Sequence, residues 1–168
     1  MIYVLYGQPA SGKTTLGNLL AEKLKTPFII DGDEFRGMFA NKNYGRRGRD
    51  ENIKNANAVA TYLNKKCQRD EWSAVYYKKD GGNSIEGRPV SKETDVVMCL
   101  VNPYEDLRQE LKNNNQGKVI EVFLQSDRDL RKEYHVEDFE IGDPKYALHT
   151  NASVEESWES LKEILNLN

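Results

Sequence analysis

Short apolar runs alternate with longer amphipathic stretches along the chain. The apolar runs, which predict buried strands, cover residues 2–6, 27–30, 96–101 and 118–124, and we expect a fifth strand near residues 146–150. Apolar residues recur at helical spacing over residues 13–25, 50–66, 103–112 and 153–167. This rhythm predicts an α/β fold, a five-stranded parallel sheet with helices on both faces.

Residues 68–94 interrupt this rhythm because they are largely polar. An Asp-Gly-Gly-Asn turn at residues 80–83 lies between two short segments that could pair, which indicates a hairpin. Two interpretations stay open: a mobile surface insertion and a flap over an active site. Either way, we interpret residues 1–168 as one domain that carries this insertion.

Length and charge exclude several classes of protein. The 168 residues suffice for one domain, and 24 Lys plus Arg against 27 Asp plus Glu give a net charge of -3. We therefore expect no nucleic-acid or membrane partner. No apolar run approaches the ~18 residues of a membrane span, and the two cysteines cannot form a disulfide framework. We expect a cytoplasmic protein with reduced thiols, and a homodimer stays open.

Residues 7–14 carry the strongest chemical signal. They read G-Q-P-A-S-G-K-T and match the phosphate-loop pattern G-x-x-x-x-G-K-[ST] at every fixed position, after an apolar strand and before an amphipathic helix. Such a loop directs backbone N–H groups at phosphate oxygens, and the helix dipole adds positive potential. We predict that ATP and Mg²⁺ bind here, with Lys13 on the β- and γ-phosphates and Thr14 on the metal. The predicted nucleotide-binding residues are Gly7, Ala10, Ser11, Gly12, Lys13, Thr14 and Thr15.

Other phosphate-loop proteins fit less well than a small-molecule kinase. A GTPase would carry Asn-Lys-x-Asp, but residues 41–44 read Asn-Lys-Asn-Tyr and come too early in the chain. A motor or transporter ATPase would end an inner strand with an acid, whereas the strand at 96–101 runs into Asn102. A small-molecule kinase needs carboxylates at a neighbouring strand end, where Asp31 and Asp33 follow the second strand.

Asp-Gly is also ordinary turn chemistry. However, open α/β sheets bind ligands at the carboxyl ends of their strands, which favours a catalytic role for Asp31. A non-catalytic nucleotide-binding module is the alternative from another functional class.

The motifs that follow the phosphate loop resemble, in order, those of the adenylylsulfate kinase (APS kinase) family. Residues 31–36 (DGDEFR) resemble its D-G-D-x-x-R, and residues 49–54 (RDENIK) resemble its R-x-E-N-I-[RK]. Residues 101–104 (VNPY) with Arg108 resemble I-S-P-Y-x-x-x-R, and residues 119–123 (VIEVF) resemble F-I-E-V-F. The resemblance implies an ATP:nucleotide 3′-phosphotransferase that converts APS to PAPS in sulfate assimilation.

The resemblance also implies roles for single residues. Asp31 would face magnesium and the 3′-hydroxyl of the acceptor. The implied acceptor-binding residues are Asp33, Arg36, Tyr44, Arg49, Asn52 and Asn102. The planar guanidinium groups of Arg36 and Arg49 suit phosphate or sulfate oxygens, and Tyr44 stands where the family has a base-stacking Phe. Arg46 and Arg47 are equally well interpreted as a solvated basic loop.

The chain departs from the family in the lid and at Asn102. Asn102 replaces a Ser sometimes described as a phosphorylated intermediate, so we expect direct in-line transfer. The lid is short, since residues 127–140 read DRDLRKEYHVEDFE, and Phe139 is what remains of a second stacking Phe. Arg131 is predicted to neutralise the transferring phosphoryl group, or else to form an ion pair with Asp127 or another nearby acid on a helix face.

Short-lid relatives of the family include a cytidine diphosphoramidate kinase, and residues 131–136 (RKEYHV) resemble that branch. Cytidine diphosphoramidate is therefore the alternative acceptor. Both acceptors offer an anionic tail and a ribose hydroxyl, so the predicted catalytic residues are the same.

Overall fold

The computed structural model of the protein describes residues 1–67, 74–78, 85–89, 95–128 and 131–167. The strands are β1 (Ile2–Tyr6), β2 (Ile29–Asp31), β3 (Ala74–Lys78), β4 (Ile85–Pro89), β5 (Val96–Leu100), β6 (Val119–Gln125) and β7 (Ala147–His149). The helices are α1 (Lys13–Leu24), α2 (Gly32–Met38), α3 (Arg46–Cys67), α4 (Glu105–Asn114) and α5 (Val154–Leu165), and Lys132–Tyr134 form a short 3-10 helix. None of the described helices is long and apolar enough to cross a membrane.

Five strands form one parallel sheet in the order β2-β5-β1-β6-β7, as the sequence predicts. The central strand β1 is buried along its whole length because helices cover both of its faces. Its even-numbered residues pack with Ala56 and Ala60 of α3. Its odd-numbered residues pack with Leu16 and Leu20 of α1. The single-domain α/β fold is therefore confirmed, with two apolar layers on either side of one sheet.

The junction between β2 and α2 differs from the sequence expectation. The second strand extends to Asp31, and helix α2 begins at Gly32 with no turn between them, a helix that the apolar pattern does not predict. Asp31 makes this possible because its carboxylate accepts a hydrogen bond from the backbone N–H of Asp33 at 2.9 Å and caps the helix. Asp-Gly-Asp is thus a strand-to-helix junction.

Strands β3 and β4 pair antiparallel, from Ala74 opposite Pro89 to Lys78 opposite Ile85. They form a separate two-stranded sheet within the polar insertion, at the segments that the sequence suggests for a hairpin. The Asp-Gly-Gly-Asn turn at 80–83 lies outside the described residues. The interpretation of the insertion as a flap over the site stays a prediction.

The parallel register brings three strand ends to one edge of the sheet. Tyr6 at the end of β1 is level with Leu100 at the end of β5, and Asp31 at the end of β2 is level with Cys99. The backbone N–H of Gly7 also contacts the carbonyl of Val101 at 3.4 Å. The phosphate loop, Asp31 and the segment after β5 therefore meet at this edge.

Candidate active site

The phosphate loop depends on two glycines. Gly7 has φ 155° and lies so close to β6 that an added Cβ would be 2.2 Å from the carbonyl oxygen of Leu124. Gly12 has φ 86°, a left-handed conformation that starts helix α1 and that side chains rarely tolerate. These two positions curl the loop around the N-terminus of α1, where backbone N–H groups bind anions.

Lys13 is held across the phosphate loop. Its Nζ donates hydrogen bonds to the carbonyl of Gln8 at 2.7 Å and to Oγ of Ser11 at 3.3 Å, and only 9% of the residue is exposed. Burial lowers the pKa of Lys13 to about 8. The charge of Arg131 acts in the same direction, whereas Asp31 and other nearby groups oppose the shift. An anionic phosphate beside Nζ would favour the protonated form.

Thr14 and Asp31 form an oxygen pair beside the loop. The hydroxyl of Thr14 donates to Oδ2 of Asp31 at 2.7 Å, while Oδ1 of Asp31 accepts the helix-capping bond from Asp33. The hydroxyl and the carboxylate are hard oxygen ligands, and Mg²⁺ in phosphate sites typically takes one or two protein oxygens besides phosphates and waters. The residues predicted for the metal therefore fit it.

Arg36 and Arg49 line the same cavity as the phosphate loop. The guanidinium of Arg36 donates to the carbonyl of Asn43 at 2.9 Å and lies 4.6 Å from the ring centre of Tyr44. Burial lowers the pKa of Arg36, and the charge of Arg49 acts in the same direction. The two guanidinium groups thus lie near enough to repel each other, and an anion between them would relieve that repulsion.

Two buried asparagines, Asn52 and Asn102, also line this cavity. Asn52 donates from Nδ2 to the carbonyl of Gly32 at 3.2 Å, and its Oδ1 has no partner in the described part of the chain. Asn102 is only 1% exposed, and neither amide atom of its side chain has a partner among the described residues. Unpaired buried amides are rare in folded proteins, so both residues are candidates for ligand contacts.

The lid is tied to the phosphate loop by Gln8. The side-chain amide of Gln8 donates to the carbonyl of Val136 and accepts from its N–H, both at 2.9 Å. Arg131 lines the cavity and is not paired with Asp127, which instead accepts a hydrogen bond from Asn151 at 2.7 Å. The predicted role of Arg131, on the transferring phosphoryl group or in a helix-face ion pair with another nearby acid, stays a prediction.

Phe139 does not reach the cavity. Its ring stacks on Tyr6, with 6.4 Å between centroids, and lies 6.0 Å from the ring of Phe123. It belongs to the apolar layer under the sheet edge because the segment after the 3-10 helix returns to the core there. Phe139, which the resemblance marks as the remainder of a second stacking Phe, thus packs on Tyr6, and the tyrosines of the cavity wall are Tyr44 and Tyr134.

One cavity of about 1170 Å³ joins these groups. Among the residues predicted from sequence, it is lined by Ala10, Gly12, Lys13, Thr14, Thr15, Asp31, Asp33, Arg36, Tyr44, Arg49, Asn52, Asn102 and Arg131. Gly7 and Ser11 lie behind the wall, where Gly7 shapes the loop and Ser11 bonds Lys13. Arg46 is turned away, over the ring of Tyr104 at 4.0 Å and 3.5 Å from Asp138.

Sequence reasoning gave no role to three residues that position the site. Gln8 occupies a variable position of the phosphate-loop pattern. Arg108 is 2% exposed, bonds the carbonyls of Asn102 and Glu140 at 2.8 and 2.7 Å, and lies over the ring of Tyr6. Thr150 bonds the carbonyl of Ser11 at 3.0 Å. Only Arg108 had a signal, its place in the motif at residues 101–108.

Comparisons with known proteins show the family and the fold of the chain. The family model described as an AAA domain matches residues 6–133. No curated protein matches the sequence. The APS kinase of Mycobacterium tuberculosis, solved with AMPPNP and APS, has a TM-score of 0.69 at 18% identity, over 98% of this chain and 96% of that chain.

Kinases of other substrates share the fold. A shikimate kinase from Aquifex aeolicus has a TM-score of 0.57 at 17% identity, over 99% of this chain and 96% of that one. A gluconokinase from Sinorhizobium meliloti has a TM-score of 0.54 at 17% identity, over 98% and 94% of the respective chains. The chain thus has the P-loop kinase fold, and these identities carry the likeness no further than the fold.

Proposed function

We propose that this protein, which belongs to the AAA domain family, is an ATP-dependent phosphotransferase acting on a small nucleotide. The observation that carries the proposal is one cavity lined both by the phosphate loop and by further cationic side chains. Arg36 and Arg49 share its wall with Lys13, Thr14 and Asp31. The volume of about 1170 Å³ exceeds that of a typical site for one ligand, ~300–1,000 Å³, as two substrates require.

The residues of the loop would bind the phosphates of ATP. Backbone N–H groups around Gly12 would face the phosphate oxygens, and Nζ of Lys13 would exchange the carbonyl of Gln8 for the γ-phosphate. Magnesium, held by Thr14 and Asp31, would neutralise charge on the phosphates. Arg131 would add a positive charge from the lid side as charge develops in the transition state.

Asp31 would handle the proton of the acceptor. Its carboxylate is partly exposed at the cavity wall and can accept the proton of an attacking hydroxyl within hydrogen-bond reach. Transfer would then be direct, because Asn102 has no hydroxyl to carry a phosphoryl group. The atoms balance: the acceptor oxygen forms a bond to γ-phosphorus, the bond to the β-phosphate oxygen breaks, and ADP leaves.

The acceptor that the sequence motifs favour is APS, phosphorylated at its 3′-hydroxyl. Arg36 and Arg49 would hold its anionic phosphosulfate tail, and Tyr44 would stack on its base. The packing of Phe139 on Tyr6 favours a second candidate, cytidine diphosphoramidate, because the loss of one stacking ring suits a smaller base. Base–aromatic stacking is worth ~1–3 kcal/mol, so a missing partner has a measurable effect.

ADP formation tests the proposed reaction. The protein would be incubated with ATP, Mg²⁺ and each of APS, cytidine diphosphoramidate, shikimate and gluconate. We expect ADP to form only with a nucleotide acceptor, and Lys13→Ala to abolish it. ADP formation that is the same with and without every acceptor would refute the proposal and favour a nucleotide-binding module.

Values of kcat/KM for the two nucleotides then rank the acceptors. We expect APS to be preferred. A preference for the cytidine compound by more than about tenfold, 1.4 kcal/mol, would reverse this order.

A further inference from the structure

Asn102 combines three features that a structural asparagine does not need. It is 1% exposed, its two amide atoms are unpartnered among the described residues, and its backbone is left-handed with φ 45°. Left-handed backbone in a residue other than glycine is uncommon and clusters at functional sites. A buried amide without partners is likewise the exception in a folded protein.

Arg108 fixes the backbone that carries this amide. Its Nη1 donates to the carbonyl of Asn102 at 2.8 Å, and its Nη2 bonds the carbonyl of Glu140 in the lid segment at 2.7 Å. Arg108 also lies 4.6 Å from the ring centre of Tyr6 at the end of β1. Arg108 thus ties the backbone of Asn102, a residue of the cavity lining, to the lid segment.

Asn102 lines the cavity next to the phosphate loop in the sheet topology. The preceding residue, Val101, accepts a contact from the N–H of Gly7 in the phosphate loop. The neighbouring strand ends in Asp31, and Asn52 bonds the carbonyl of Gly32 directly after it. Asn102 thus follows the strand that lies between the phosphate loop and the proposed proton acceptor, where the reacting hydroxyl of an acceptor must lie.

We infer that the amide of Asn102 binds two neighbouring hydroxyls of the acceptor sugar and thereby selects ribose over deoxyribose. The inference rests on the proposed function, which places a nucleotide acceptor in this cavity. One hydroxyl donates to Oδ1 and the other accepts from Nδ2, so both unpartnered atoms are satisfied at once. The hydroxyl bonded to Nδ2 keeps its own proton free for Asp31.

An amide suits this task better than the alternatives at the same position. A serine offers a single oxygen and cannot span both hydroxyls. An aspartate could only accept hydrogen bonds, and its charge would repel the γ-phosphate nearby. The neutral amide supplies one donor and one acceptor without added charge.

Equilibrium binding tests this inference without phosphoryl transfer. The protein, saturated with AMPPNP and Mg²⁺, would be titrated calorimetrically with AMP, 2′-deoxy-AMP and 3′-deoxy-AMP, and with the three corresponding cytidine monophosphates. We expect the wild-type protein to bind the better ribonucleotide roughly tenfold or more tightly than either deoxy form, since each removes one buried hydrogen bond.

Two variants test the contribution of the amide. Asn102→Gly removes both and is compatible with the left-handed backbone, so the ribose and deoxy forms should bind within about twofold of each other. Asn102→Asp replaces the donor with a second acceptor, and because a sugar hydroxyl can also donate, discrimination against both deoxy forms should persist in this variant. The matched control is Asn57→Ala, which removes another buried amide whose Oδ1 is unpartnered, away from the cavity wall.

The outcomes are distinct. Discrimination that persists in Asn102→Gly, or a wild-type protein that fails to prefer ribose, overturns the inference. Discrimination lost in Asn57→Ala as well would also overturn it, because a general loss of packing would then explain the effect. Discrimination that depends on Asn102 in a protein that forms no ADP would refute the proposed function and leave this inference standing.

Discussion

Asp31 caps helix α2 and is proposed to be catalytic, and substitutions can separate these two roles. One oxygen caps helix α2 through the N–H of Asp33 at 2.9 Å, and the other accepts from the hydroxyl of Thr14 at 2.7 Å. Asparagine caps helices as well as aspartate does, but it cannot take a proton and is a poor magnesium ligand. Asp31→Asn should therefore keep the structural role and lose the chemical one.

The magnitudes differ enough to be resolved. Asp31→Asn should change the free energy of unfolding by no more than a few tenths of a kcal/mol, whereas Asp31→Ala should lose about 1 kcal/mol with the cap. For a chain of 168 residues, 1 kcal/mol corresponds to roughly 2–4 °C in Tm. Both variants should lose on the order of 10²-fold or more in kcat, about 2.7 kcal/mol at 1.36 kcal/mol per decade.

The assays are thermal unfolding without ligand and steady-state turnover at saturating ATP and acceptor. Asp33→Asn serves as a matched control, since it removes an exposed carboxylate two residues away and should raise the acceptor KM more than it lowers kcat. ATP affinity should change little in Asp31→Asn because the loop is untouched. Near-normal kcat in Asp31→Asn would refute the catalytic assignment and make Asp33 the next candidate.

Two further predictions concern Lys13 and Gln8. Burial lowers the pKa of Lys13 from 10.5 to about 8, so between these pH values the unfolded chain binds more protons than the folded protein. As pH rises through this range, the free energy of unfolding of the ligand-free wild-type protein should therefore increase relative to that of Lys13→Met. ATP affinity should fall over the same pH range. If calorimetry shows that ATP affinity does not change with pH there, Lys13 is not a buried ammonium that loses its proton in this range. Gln8→Ala should remove the hydrogen-exchange protection of the Val136 amide, because among the described hydrogen bonds this N–H donates only to the Gln8 side chain. The same substitution should lower Tm by less than about 4 °C. Unchanged exchange at Val136 would show that other contacts hold the lid.

Local sequence patterns were enough to predict the layered architecture and to locate the phosphate loop. Strand and helix periodicity are local properties, so the five parallel strands and the helices between them follow from residue spacing. The phosphate loop is also local, because its glycines, Lys13 and Thr14 lie within eight consecutive residues. The capping box of Ser153 and Glu156, which starts α5, is likewise a local pattern.

Tertiary structure decided the acceptor end. Whether Phe139 stacks on a ligand or on Tyr6 depends on where the lid segment returns to the core, and no local pattern carries that information. The start of α2 at Gly32 likewise depends on a cap that Asp31 supplies from the end of a strand. The backbone of Asn102 is likewise held by Arg108, six residues further along the chain, and its buried amide has no partner among the described residues. Contacts between residues distant in sequence set these positions. The sequence therefore predicts which residues are candidates for the site, but not which groups surround each of them.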